Sequence, residues 1–142
     1  CPIWVPWFRE AELKHGRIAM LATVGWIAVD LGARFPGEKF QSVSDSLSAH
    51  DIMVKNGYME VMAGMVLVAE VYGWLIAYDG WMGTIDREAG DYFVGKKFLP
   101  SDPAKAEEMQ LKELENGRLA MLAISGIVTG ALVTGKTWPF LE

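Results

Sequence analysis

Apolar residues gather in three stretches, Ile18–Leu31, Val61–Tyr78 and Leu119–Thr134, with polar residues between them. Only the middle one, VMAGMVLVAEVYGWLIAY, reaches the roughly 18 residues asked of a helix that spans a bilayer, and it carries Glu70 inside it. The outer two are short alone. Extended backward through the charged motifs that precede them, they begin near Trp7 and near Ala104. Both then exceed the roughly 20 residues that cross a hydrocarbon core at about 1.5 Å per residue. The pattern predicts an all-α membrane protein, one domain over residues 1–142, with three transmembrane helices at about 7–31, 57–78 and 104–134.

The connections, GARFPGEKFQSVSDSLSAHDIMVKNG and DGWMGTIDREAGDYFVGKKFLPSDPAK, hold most of the Asp and Lys. Within the second, LPSDPAKAEEMQLKE reads as a helix start, with Ser101 or Asp102 as N-cap and Pro103 in the first turn. Basic residues fix an orientation. Arg9, Lys14, Arg87, Lys96, Lys97, Lys105 and Lys112 lie on the side of the N-terminus, against Arg34, Lys39, Lys55 and Lys136 on the other, which places the N-terminus on the synthesis side.

Composition agrees with a membrane setting: 51% of residues are hydrophobic and the mean hydropathy is +0.18. Thirteen Lys and Arg against eighteen Asp and Glu leave a net charge of −5, which offers nucleic acid no basic field. The single cysteine, Cys1, makes no internal disulfide and reads as an unimportant terminal thiol. The opening Cys-Pro-Ile-Trp, without an initiator Met or a charged leader, reads as the start of a processed or partial chain.

The charges ahead of the outer runs are a duplicated device. ELKHGRIAMLATVG at 12–25 and ELENGRLAMLAISG at 113–126 agree at nine of fourteen positions, offset by 101. One spanning segment separates the copies, so the first and third helices run in the same direction and a pseudo-two-fold axis along the membrane normal relates them. Glu12 and Arg17 lie about 140° apart around one helix and face each other poorly. Crossing the two helices brings Glu12 to Arg118 and Glu113 to Arg17, so that four costly charges become two ion pairs. Gly16, Ala19, Ala22 and Thr23 on one helix, and Gly117, Ala120, Ala123 and Gly126 on the other, supply the small residues for a close crossing. A helix-docking clamp alone accounts for that much.

His15 and Asn116 ask for more. Each stands three residues after its Glu and about 60° around the same helix. Carboxylate, imidazole and amide oxygen are all competent metal ligands, spaced too thinly for a protein-only cage. They suit a metal that has four ligands from elsewhere, as the magnesium of a chlorin macrocycle does, while the second Glu oxygen still accepts from Arg.

On the paired motifs Glu12-Leu-Lys-His15-Gly-Arg17 and Glu113-Leu-Glu-Asn116-Gly-Arg118, the chain resembles the three-helix light-harvesting chlorophyll proteins of photosynthetic membranes. The resemblance implies that Glu12, His15, Glu113 and Asn116 ligate chlorophyll magnesium, that Arg17 and Arg118 are the charge partners of the acids, and that Glu70 is the ligand of the middle helix. His50, in SLSAHDIM, is an additional candidate ligand against the solvated state usual for a loop histidine. Glu60 is already explained by a helix dipole. The tryptophans fall mostly where interfacial belts would put them, and Trp26 is a candidate for the carotenoid groove. Met62 and Gly130 stand where the family often has Gln, so pigment there is either missing or held through water. The chain ends at Glu142 without the C-terminal amphipathic segment and His ligand of the green-plant branch. ELKHGRIAMLATVGWIAVDLG and TGKTWPFLE look more like the chlorophyll a/c branch, of peridinin or fucoxanthin type.

The resemblance further implies chlorophyll a, chlorophyll c and a peridinin-, fucoxanthin- or diadinoxanthin-like carotenoid, in a multi-pass protein of the plastid thylakoid. Its partners there are a photosystem core, I or II, neighbouring antenna subunits and thylakoid lipids. The function it implies is light harvesting with excitation transfer, without enzymatic chemistry. A photoprotective quenching or pigment-assembly role in the same family is the near alternative, and Glu38, Asp45 and Asp51 are acids in the connection that an acid-sensing member would use. A proton or ion pathway through Glu12, Glu70 and Glu113 is more remote, because it leaves the duplicated His/Asn unexplained. A haem carrier lacks a second axial histidine at matching depth.

Overall fold

A computed structural model describes residues 4–140; the thiol of Cys1 lies outside the described residues. Among those residues the secondary structure is wholly helical: α1 (Trp4–Asp30), α2 (Glu38–Gln41), α3 (Ser46–Lys55), α4 (Tyr58–Trp81) and α5 (Pro103–Thr134), with a 3₁₀ turn at Lys96–Phe98. The connection between α1 and α4, expected to be loop, contains α2 and α3. Its signal is local: the Asp45 side chain accepts the Ser48 amide at 2.8 Å and caps α3. That bond, with the Ser44 hydroxyl, holds the Asp45 carboxyl below the ordinary aspartate range. A lowered carboxylate contributes stability above the unfolded pKa and loses it only as pH falls through the folded value. Asp45 is therefore committed as a cap rather than poised to sense mild acidification.

α5 opens on Asp102, whose Oδ1 accepts the Ala104 amide at 3.1 Å, with Pro103 at its first position. It closes at Gly135, whose φ of 69° allows its amide to reach the Ala131 carbonyl. α4 and α5 are long and apolar enough to cross a membrane. α1 has comparable length, 27 residues, but a charged first half.

The packing is inverted relative to a water-soluble domain. Buried apolar residues are small, Ala19, Ala77, Ala120 and Ala131 with Val43, while Leu21, Val68 and Leu122 are 76%, 72% and 75% exposed. A helix such as α4, apolar all round and nearly bare of protein, has the surface of a helix that suits lipid. α1 and α5 approach most closely where glycine meets glycine: a Cβ on Gly16 would lie 2.9 Å from the Gly117 Cα, and one on Gly117 3.0 Å from the Gly16 Cα. Ala19 and Ala120 continue this seam, and the Thr23 hydroxyl donates to the Ala19 carbonyl at 2.8 Å beside it. Two of the small residues expected there are not. Ala22 is exposed and Gly126 faces open space. At about 100° per residue, Ala22 lies roughly 120° off the Gly16 line and Gly126 on the face opposite Gly117.

α4 packs against α3 and stands apart from the α1–α5 pair along most of its length, buried only at Gly73 and Ala77. It meets α1 through Trp7 against Trp81, ring centroids 4.8 Å apart, and through a polar contact at Glu70. At the far end of α1, Asp30 receives the Ser46 amide on Oδ1 (2.9 Å) and the Trp138 amide on Oδ2 (3.0 Å), so one carboxylate joins the starts of α3 and of the tail after α5. Arg34 gathers the carbonyls of Val29, Ala33, Val43 and Ser44 nearby.

Candidate functional site

The repeat brings its charges together across the seam. Arg17 Nε donates to Glu113 Oε1 and Arg118 Nε donates to Glu12 Oε1, both at 2.7 Å. The two halves differ in their surroundings. Arg17 also donates to the Gly90 carbonyl at 2.7 Å, beneath the connection between α4 and α5. Arg118 is 55% exposed, and Glu12 takes a second cation on its other oxygen, Arg9 at 2.9 Å. Glu113 Oε2 makes no bond among the described residues, whereas both oxygens of Glu12 are engaged.

His15 and Asn116 repeat one geometry. His15 Nδ1 lies 2.7 Å from the Ala11 carbonyl, and because a carbonyl only accepts, Nδ1 carries the proton and Nε2 presents a lone pair. The Asn116 amide nitrogen donates to the Lys112 carbonyl, again the fourth residue back and again at 2.7 Å, which turns Oδ1 outward as an acceptor. Both side chains are exposed. Among the described residues no three His, Cys, Asp or Glu side chains converge as a metal cage. What the helices offer is single outward acceptors, each with its other polar atom satisfied by backbone. A metal that brings four ligands of its own and lacks an axial one fits this set.

Glu70, on α4, accepts from Lys14 of α1 at 2.7 Å, and its second oxygen makes no bond among the described residues. His50 sits in α3 rather than in a loop, 70% exposed, with Nδ1 3.1 Å from Asp51 Oδ1. Glu60 is exposed in the first turn of α4. Trp26 is half buried, and its buried indole nitrogen has no partner among the described residues. Beside Gly130 the tail folds back: the Phe140 ring stands 3.3 Å from where a Cβ would be.

The connection between α4 and α5 contributes residues that sequence reasoning missed. Arg87 donates to Glu10 Oε2 at 2.8 Å with side chains only 3% and 8% exposed, and the Gly90 amide donates to the same oxygen at 2.9 Å. The Arg87 stem lies over Gly80, where a Cβ would come within 2.8 Å of it. Tyr92 has its ring 5.4 Å from the Arg87 guanidinium. Its hydroxyl and Glu10 Oε1 are buried, and burial first, then the Glu10 carboxylate, pushes the phenol well up, so it stays protonated. Between this connection, α1 and α5 opens a cavity of about 1160 Å³ that reaches Leu13, Arg17, Phe98 and Glu113. That exceeds the roughly 300–1,000 Å³ of pockets for drug-sized ligands.

Comparison with known proteins gives this arrangement its context. A family model described as chlorophyll A-B binding protein matches residues 2–132. The chain is 36% identical over 135 residues to light-harvesting complex stress-related protein 1 of Chlamydomonas reinhardtii, covering 89% of this chain and 53% of that protein. It is 34% identical over 145 residues to a fucoxanthin-chlorophyll a-c binding protein of Isochrysis galbana, covering 92% and 65%. Against chlorophyll a-b binding protein 1B-21 of Hordeum vulgare it is 31% identical over 128 residues, covering 84% and 50%. The chain thus spans between half and just under two-thirds of these relatives. A family model matched over nearly the whole chain leads to one conclusion: the chain belongs to the chlorophyll a-b binding protein family, a light-harvesting family of pigment-binding proteins and not of enzymes.

Proposed function

We propose that this chain is an antenna subunit of the plastid thylakoid, crossing the membrane with α1, α4 and α5 as a single three-helix unit. In this reading α1 and α5 are a crossed pair related by a two-fold axis along the membrane normal, and a photosystem core with neighbouring antenna subunits receives the energy. The observation that carries it is the duplicated outward acceptor, His15 and Asn116, each with its donor satisfied four residues back. His15 Nε2, Asn116 Oδ1, Glu113 Oε2 and Glu70 Oε1 would hold chlorophyll magnesium. Glu12 joins them once Arg9 yields its oxygen, and His50 is a further position on an exposed helix face. Arg17 and Arg118 neutralise the ligand carboxylates and fix their orientation, as partners behind a metal ligand do. When bound, the pigments supply absorption and the passage of excitation. Similarity to fucoxanthin-chlorophyll a-c binding proteins supports chlorophyll a and c with a carotenoid of fucoxanthin or peridinin type, beside which Trp26 would lie. Similarity to stress-related light-harvesting proteins supports a second reading, photoprotective quenching.

The absorption and fluorescence-excitation spectra of the gently solubilised protein, followed by chromatography of its pigments, test this. Carotenoid excitation appearing in chlorophyll emission is the expected result. A folded, colourless protein would sink it, and emission that shortens sharply on acidification would favour quenching. Within this reading His15→Leu removes one chlorophyll per chain and leaves helicity by circular dichroism unchanged; an unaltered pigment count would contradict the assignment. The two ion pairs should also respond unequally. Arg17→Leu leaves Glu113 with no cation, whereas Arg118→Leu leaves Glu12 with Arg9. Pigment retention and the thermal midpoint are expected to fall more in Arg17→Leu, and equal losses would count against the asymmetry.

A further inference from the structure

We infer that Lys14 is the positioning residue for Glu70: a cation lent by α1 that holds the middle-helix carboxylate with one oxygen turned out as a ligand. The inference rests on the proposed ligand role of Glu70.

Nζ of Lys14 stands 2.7 Å from Glu70 Oε2, the two residues 56 apart in sequence. Gly73, one turn further along α4 on the same face, lets the Tyr92 ring come in close beside the ammonium. A Cβ there would lie 3.3 Å from the Tyr92 ring and 3.9 Å from Lys14 Nζ. The Tyr92 ring, 6.0 Å from Nζ, closes the other side of the ammonium. Lys14 is thus held among Glu70, the bare backbone at Gly73 and an aromatic face. Its side chain is 32% exposed, against 50% for Glu70.

The repeat shows that this cation is no part of the duplicated device. The position matching Lys14 in the second copy, 101 residues on, is Glu115, an exposed acid. The copies agree at Glu, Gly and Arg, which serve the α1–α5 seam, and diverge in sign at the motif position whose side chain reaches Glu70 of α4. An acid there would repel Glu70 and leave two uncompensated charges in an apolar setting. With Lys14, each of the three helices carries an acid answered by a cation from a different helix: Glu12 by Arg118, Glu113 by Arg17, Glu70 by Lys14. The bond on Oε2 restrains the carboxylate, and Oε1 has no bond among the described residues.

The test uses the full chain refolded with chlorophyll and carotenoid, reading chlorophylls per polypeptide and the absorption band that is lost or moved. Glu70→Leu is expected to lose one chlorophyll, and Lys14→Met to lose the same one, with the same band missing. Lys14→Arg keeps the full count but shifts that one band, because a guanidinium bonds the carboxylate differently from an ammonium. A full complement in Lys14→Met beside a loss in Glu70→Leu would reduce Lys14 to a tether and overturn the inference. An unmoved band in the folded Lys14→Arg protein would overturn it as well. A full complement in Glu70→Leu would instead remove the ligand role of Glu70, and this inference with it.

Discussion

Replacing Gly117 by valine is expected to part α1 from α5 and to take both cross-helix ion pairs with them. The atom that a new Cβ meets, 3.0 Å away, is the Cα of Gly16, backbone that has no rotamer through which to escape. Overpacking costs roughly 1–3 kcal/mol where side chains can shift, and here the helices themselves must move, which places the cost at or above the top of that range. Separation then lengthens Arg17–Glu113 and Arg118–Glu12, both 2.7 Å in the native arrangement. Thermal unfolding and chlorophylls retained per chain should both fall sharply. Gly126→Val is the control, since nothing lies within 4 Å of its would-be Cβ, and it should behave like the parent protein. Equal behaviour of the two variants would mean that the glycine contact does not hold the pair.

The second large effect is expected away from the repeat. Arg87→Met removes the cation that faces Glu10 at 2.8 Å in a site where both side chains are almost wholly enclosed. Breaking a buried pair from one side costs about 3–5 kcal/mol, because the remaining charge stays in place without compensation. Methionine keeps an unbranched stem over Gly80, so the loss is chiefly electrostatic. Adding Glu10→Gln should restore a good part of the midpoint, as a neutral amide can still accept from the Gly90 amide. Protease cutting between residues 82 and 95 should become faster in the single variant. A midpoint unchanged in Arg87→Met would show that the connection is held by other contacts.

These predictions also mark how far the chain could be read from its residues. The middle apolar run announced a helix by its length alone, and the outer two only once they are extended back through the charged motifs before them. The five-residue spacing of Glu12 and Arg17 ruled out pairing within one helix and pointed to the partner copy, where the structure has it. The small-residue stripe was read too broadly: composition recognises Gly126 and Ala22, but only the phase of the helix decides whether they meet the seam. Contacts that join distant, unrepeated segments left no periodic trace. Lys14 and Glu70 are 56 residues apart and Glu10 and Arg87 are 77 apart, each an ordinary charge until the chain is folded. α3 did leave a signal, Asp45 three residues before Ser48, inside a stretch whose polarity suggested loop.

α4 has few protein neighbours, and most of its apolar surface faces outward from the protein. A helix so lightly held depends on whatever fills its flanks, and a ligand that binds only the assembled state stabilises it by about 2.7 kcal/mol at a hundredfold excess over its dissociation constant. Several such ligands together would outweigh the Trp7–Trp81 and Lys14–Glu70 contacts. On the proposed function, the amount of this protein in a cell should track the rate of pigment biosynthesis more closely than the level of its messenger RNA, because chains that lack pigment would present an open middle helix to quality-control proteases.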